Sequence, residues 1–158
     1  MYLMSKYIKE KTDVTVIYSG EGSDEASGSY MYFHKAPTPE AFQKEVVRLM
    51  EDLCYFDVLR CDKSTAGAGL EVRVPFLDKE FLQYYLGIDP KLKMPKTYGI
   101  EKWLLRKSFD YDDLLPKEVL WRVKEGMSDG VSSKTKSWYE IIQDKAGKLI
   151  SDDKFKEL

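Results

Sequence analysis

Apolar positions along the chain fall into helical spacing, interrupted by two short β-like runs. From Tyr2 to Lys11, Leu3, Tyr7 and Ile8 face one way and lysines the other, which predicts an amphipathic helix. Val14, Val16 and Ile17 follow as a β-branched run dense enough for a buried parallel strand. Phe42, Val46, Leu49, Leu53 and Phe56 recur every three or four residues, predicting one long helix over 40–60 with a core-facing stripe. Residues 79–87, 99–109, 116–121 and 135–150 read as further helices, the first ended by Gly87 and the third opened by Pro116. Residues 30–39 read as an aromatic connector closed by two prolines, and Pro90 to Pro95 as a loop. Phe76, Leu77, Phe81 and Leu82 complete the expected core. Before Pro75 the run Leu70-Glu-Val-Arg-Val alternates charged and apolar residues, so that Glu71, Arg73 and Asp78 are expected to form a buried charge network.

Composition narrows the class without choosing a chemistry. A chain of 158 residues has room for one domain, and 43% hydrophobic with 33% charged residues is ordinary for a globular protein. A net charge of -2 provides no basic field, so nucleic acid is not expected as a partner. No apolar run approaches the roughly 20 residues of a membrane span, and no signal-peptide pattern is visible. Cys54 and Cys61 lie seven apart in a predicted helix, about 10 Å along one face, too far for a disulfide. They read as reduced core residues of a cytoplasmic protein. His34, the sole histidine, has no ligand-type neighbours in sequence and reads as a packing or surface residue.

Two stretches carry candidate chemistry. In the first, the strand runs into Ser19-Gly-Glu-Gly-Ser-Asp-Glu25, where two glycines bracket an acid and Ser23-Asp24-Glu25 opens a helix. Strand, glycine loop and helix start is where α/β proteins bind nucleotides, because glycine lets the backbone approach a ligand. The same residues also suit an ordinary strand-to-helix turn, and the loop is neither a Walker motif nor G-x-G-x-x-G. Asp57 and Arg60, three apart at the border of the core stripe, form either a surface ion pair or one wall of a cleft. The second stretch, Arg122-Val-Lys-Glu-Gly-Met-Ser-Asp-Gly130, is either a solvated basic turn or a phosphate-holding loop.

Several blocks, in order, decide between these readings: Ser19–Glu25 with Tyr30-Met-Tyr-Phe-His-Lys-Ala-Pro37, Phe56-Asp-Val-Leu-Arg60, Gly69 to Asp78, Gly99-Ile-Glu-Lys102, Trp121-Arg-Val-Lys-Glu125 and Ser128-Asp-Gly130. Together they resemble the synthetase domain of the glutamine-hydrolysing asparagine synthetases over nearly the whole chain. The resemblance implies an α/β fold, namely the C-terminal, mostly helical portion of a parallel-sheet, adenine-nucleotide α-hydrolase-like domain of the PP-loop ATP pyrophosphatase type. It implies ATP and Mg²⁺ as cofactors, aspartate as substrate, β-aspartyl-AMP as intermediate and ammonia from glutamine, with homodimerisation of the whole protein as a further implication. By the same resemblance, Ser19 and Gly20 meet the nucleotide through their backbone. Glu21 faces the intermediate and orients or deprotonates incoming ammonium. Asp24 helps to hold Mg²⁺, Asp57 and Arg60 line the synthetase site, and Lys124 is a phosphate ligand.

The family's Ser-Gly-Gly-x-Asp-Ser pyrophosphate loop and its N-terminal glutaminase domain are not found within the 158 residues. The expectation is therefore a partial synthetase domain over 1–158, cut at both ends. Its strand would lack neighbours, its apolar surface would be exposed, and it would be inactive alone. The competing expectations are a relative that adenylates another carboxylate, such as a β-lactam-forming synthetase, and a truncated non-catalytic interaction module.

Overall fold

The computed structural model describes residues 1–126, 130, 132, 135–150 and 154, in two compact units, 1–121 and 122–158. One domain was expected. Among the described residues of the second unit none is buried, and the buried residues belong to the first.

The first unit opens with α1 (Tyr2–Lys11), as its periodicity predicts. Strand β1 (Val16–Tyr18) follows, and it has a neighbour: β2 (Glu71–Arg73) pairs with it in parallel, Val16 opposite Glu71, Ile17 opposite Val72 and Tyr18 opposite Arg73. The alternating run read as a charge network is thus an edge of a two-stranded sheet. Its charges point outward by strand alternation. Glu71 and Arg73 pair with each other in exposed positions, and Asp78 accepts the Phe81 amide at 3.0 Å instead of joining them. Nor is β1 buried, because Val16 and Tyr18 face outward and only Ile17 is half-buried.

Between the strands lie α2 (Ser23–Ser27), a 3-10 turn at Met31–Lys35, α3 (Pro39–Asp52) and α4 (Asp57–Ala66). Thr38 caps α3 by accepting the Ala41 amide at 3.2 Å, with Pro39 in the first turn, an arrangement worth about 1 kcal/mol. The helix expected over 40–60 is broken: a 3-10 turn at Leu53–Tyr55 ends α3, and Phe56 leaves the helical region at φ -120°, ψ -102°. Helical spacing survives such a break for a few residues, which is why the stripe reads as continuous. Phe56, expected in the core, is 66% exposed. The cysteines no longer share a helix, with Cys61 buried and Cys54 exposed.

The rest of the unit comprises α5 (Lys79–Gly87), α6 (Pro95–Tyr98), α7 (Trp103–Ser108) and α8 (Lys117–Leu120). Pro116 precedes α8 as its cap residue, and α7 starts four residues later than expected because Gly99 and Lys102 both take left-handed backbone. In the second unit Ser137 and Glu140 form a reciprocal capping box that starts α9 (Trp138–Leu149).

Phe33, Phe42, Val46 and Met94 make the buried cluster, with Tyr30, Ala36, Leu49 and Leu86 packed around it. Phe76, Leu77, Phe81 and Leu82 are only half-buried. Beside the cluster the buried Lys93 ammonium donates to Gln43 Oε1 at 3.1 Å and to the Tyr85 and Leu86 carbonyls at 3.0 and 3.3 Å, tying α3 to α5. Burial pushes this ammonium down to about 8, with Asp89 opposing the shift. The unfolded chain then binds the extra proton between about pH 8 and the ordinary lysine value, so Lys93 contributes stability that grows as pH rises through that window. Urea unfolding at pH 7.5 and 9.5 is expected to show this gain for the chain and a reduced one for Lys93→Met; equal gains would contradict it.

Candidate active site

The site forms where β1 ends. The Ser19 amide continues the sheet by donating to the Arg73 carbonyl at 2.9 Å, so any backbone contact from Ser19 to a nucleotide falls to its carbonyl. The chain then turns, with the Ser23 amide donating to the Gly20 carbonyl at 3.2 Å. The two glycines differ. A Cβ on Gly20 would meet nothing within 4 Å. Gly22 has φ +83°, and a Cβ there would lie 2.1 Å from Leu77 Cδ2. Gly22 therefore allows the turn to close over the Pro75–Leu77 segment, and Glu21 is held between them.

The break after α3 supplies the other half. Asp57 and Arg60 occupy the first turn of α4, not the C-terminal end of one long helix. Arg60 Nη2 lies 2.5 Å from Asp57 Oδ1 and 3.5 Å from Glu21 Oε2. The guanidinium thus bridges two carboxylates that are 36 residues apart in sequence. Glu21 is 16% exposed and Arg60 56%, so the acid is shielded while the cation faces solvent. Burial is the largest influence on Glu21 and holds its carboxyl above the usual carboxylate range; Arg60 opposes this and Asp57 reinforces it. The buried Cys61 thiol lies behind Ser19, and burial pushes it up.

A carboxyl raised in the fold favours the folded state at low pH and loses that contribution as pH climbs past its folded value. Glu21→Gln is therefore expected to be more stable than the chain at pH 7 and no different below pH 4. The comparison is a pair of thermal melts. A variant less stable at neutral pH would show that Glu21 anchors the fold.

Asp24, next along, points to a different partner. Lys102 Nζ lies 2.7 Å from Asp24 Oδ1 and donates to Ser23 Oγ at 2.9 Å. Among the described residues no three His, Cys, Asp or Glu side chains cluster as a metal site. Mg²⁺ does not need such a cluster, because it keeps several waters and takes one or two carboxylates plus phosphate oxygens. Asp24 supplies one carboxylate oxygen donor of the kind the ion takes, with the Lys102 ammonium standing at it.

Sequence reasoning passed over two neighbours. Glu25 is buried and accepts the Tyr30 hydroxyl, while Lys102 stood inside a family-like block without a role. A cleft of about 430 Å³ opens beside Glu25, bounded also by Tyr30, Tyr32, Leu49, Phe56 and Asp57. His34 bonds Glu101 at 2.9 Å and is half-buried, in keeping with a packing role.

Ser19, Gly20, Glu21, Asp24, Asp57 and Arg60 thus come from two segments that meet at the end of β1. Lys124 belongs to the second unit and is itself half-buried, within an otherwise exposed stretch outside helix and strand. Arg122 nearby pairs with Glu125 at 3.6 Å. Of the block around Ser128, Asp129 and Gly130, the first two lie outside the described residues. No helix among the described residues is long and apolar enough to cross a membrane.

The family described as Asparagine synthase matches this chain over residues 1–41 and 35–158. The asparagine synthetase [glutamine-hydrolyzing] of Gallus gallus is 57% identical over 152 residues, covering 96% of this chain and 27% of that protein. The proteins of the same name from Cricetulus griseus and Homo sapiens are 54% and 53% identical, again over 27% of their length. The chain spans about a quarter of these relatives, and it belongs to the asparagine synthase family.

Proposed function

We propose that this chain is part of the synthetase domain of a glutamine-hydrolysing asparagine synthetase, a ligase that makes asparagine from aspartate at the expense of ATP. The observation that carries this reading is the Glu21–Arg60–Asp57 bridge at the carboxyl end of a parallel strand. That is where α/β proteins place nucleotide chemistry.

A carboxylate is a poor electrophile, so amide formation needs its oxygen converted into a leaving group. Transfer of AMP from ATP to the side-chain carboxylate of aspartate, with release of pyrophosphate, does this. Ammonia from glutamine then attacks the acyl carbon and AMP departs. In this scheme Ser19 and Gly20 line the nucleotide with backbone. Arg60, which faces solvent, offsets charge on phosphate or the α-carboxylate. Glu21, whose carboxyl is raised by burial, orients the incoming nitrogen and takes its proton, a task suited to an acid with elevated affinity for protons. Asp57 holds Arg60 at 2.5 Å and so sets its direction. Asp24 would hold Mg²⁺, which when bound neutralises phosphate charge. Lys124 is proposed as a further phosphate ligand, and the domain type is proposed to be that of the PP-loop ATP pyrophosphatases.

The relatives' remaining length makes the test a chimera. The 152 matched residues replace the corresponding segment of the Gallus gallus protein, and asparagine formation is followed with ATP, aspartate and glutamine. The folded chimera is expected to make asparagine, and Glu21→Gln within it to lower the rate about 10²–10⁴-fold. The chain alone is expected to release no pyrophosphate with ATP and aspartate. A folded chimera without activity, or one indifferent to Glu21, would overturn the reading.

A further inference from the structure

Lys102 reaches Asp24 from a turn built to hold it there. Its backbone is left-handed, φ 58° and ψ 26°, a conformation disfavoured for a residue with a side chain. Such a conformation persists where the surroundings over-determine it. Here they do so from several sides. Tyr98 and Trp103, which bracket residues 99–102, stack with ring centroids 3.9 Å apart. His34 bonds the Glu101 side chain at 2.9 Å, and Arg106 Nε donates to the Glu101 carbonyl at 2.9 Å. The lysine head is therefore a placed charge. Its side chain is 22% exposed and Asp24's is 31%, while Asp24 Oδ1 itself is covered.

We propose that the Lys102 ammonium is a tethered occupant of the cation position at Asp24, which a divalent cation must displace in order to bind. The proposal rests on the reading of Asp24 as a cation ligand. The two occupants exclude each other for a simple reason. An ammonium 2.7 Å from Oδ1 stands where a metal at about 2.1 Å from the same oxygen would sit, and like charges that close repel. Lys102 keeps Ser23 Oγ as an acceptor, so displacement moves the head without stranding it.

The test uses the full chain and Mn²⁺ as probe, with free Mn²⁺ read by electron paramagnetic resonance. Lys102→Met keeps the apolar stem and removes the charge. It is expected to bind Mn²⁺ about fivefold more tightly than the chain, the change that loss of a partly exposed ion pair produces. Asp24→Asn is expected to abolish this binding in either background. Mn²⁺ binding that depends on Asp24 but is equal or weaker in Lys102→Met overturns the displacement alone. Binding that ignores Asp24, or no binding in any form, overturns the assignment of Asp24 as well. A second measurement needs no variant. Acylation of Lys102 by an amine-reactive ester, read by mass spectrometry, is expected to speed up when Mg²⁺ is added, and an unchanged rate overturns the proposal.

Discussion

Gly22→Ala is expected to destabilise the chain by about 2–5 kcal/mol, a large share of the total stability of an ordinary domain. Two independent costs add. At φ +83° an alanine pays for left-handed backbone, about 1–2 kcal/mol. Its Cβ would also lie 2.1 and 2.6 Å from Leu77 Cδ2 and Cγ, so either Leu77 or the loop must move. Leu77 sits in the short turn that follows β2, and its displacement would disturb the strand end that positions Ser19. Gly20→Ala is the control. Its Cβ would meet nothing within 4 Å, and its backbone is not left-handed, so unfolding should shift little. Urea midpoints of the two variants decide the matter. Equal midpoints would mean that the close approach at Leu77 is relieved at no cost. The glycine that the fold requires is thus the second of the pair, and the first is left for whatever approaches the loop.

Phe42→Ala is expected to cost about 3–5 kcal/mol, the range for removing a buried aromatic ring. Phe42 is 1% exposed and meets Phe33 edge-on, with ring centroids 5.2 Å apart and planes at 66°. Its ring also lies against Gly28, where a Cβ would come within 2.4 Å. Gly28, at φ +59°, stops α2 after one turn and a half. Removing the ring therefore opens a cavity and frees the turn that ends the helix bearing Asp24. Amide exchange in residues 23–29 should rise along with the loss in urea midpoint. Loss of stability without faster exchange there would separate the core from the loop. Phe42→Leu, which keeps most of the volume, should cost less than half as much.

Local signals carried much of the fold. The boundaries of α1 and α5 match their periodicity, and the glycine loop after β1 is as expected, because spacing and turn residues act within a few positions. The break between α3 and α4 was not legible, since Leu53 and Phe56 continue the helical spacing while the backbone at Phe56 does not. Nor was β2 legible as the partner of β1: pairing across about 55 residues depends on what the intervening helices allow. Glu71 and Arg73 alternate with valines, a pattern equally compatible with a buried network and an exposed edge.

The candidate site divides in the same way. The order of its motifs, the acid between two glycines and the helix-borne Asp57 and Arg60 are properties of the chain as written, and they sufficed to point to the family. That Arg60 turns towards Glu21, that Glu21 is shielded enough to hold its proton more tightly, and that Lys102 stands at Asp24 were decided only when distant segments packed together. Sequence specifies which groups are present and the local backbone that carries them. Distance and burial govern how one charge acts on another, and both arise from contacts between residues far apart along the chain.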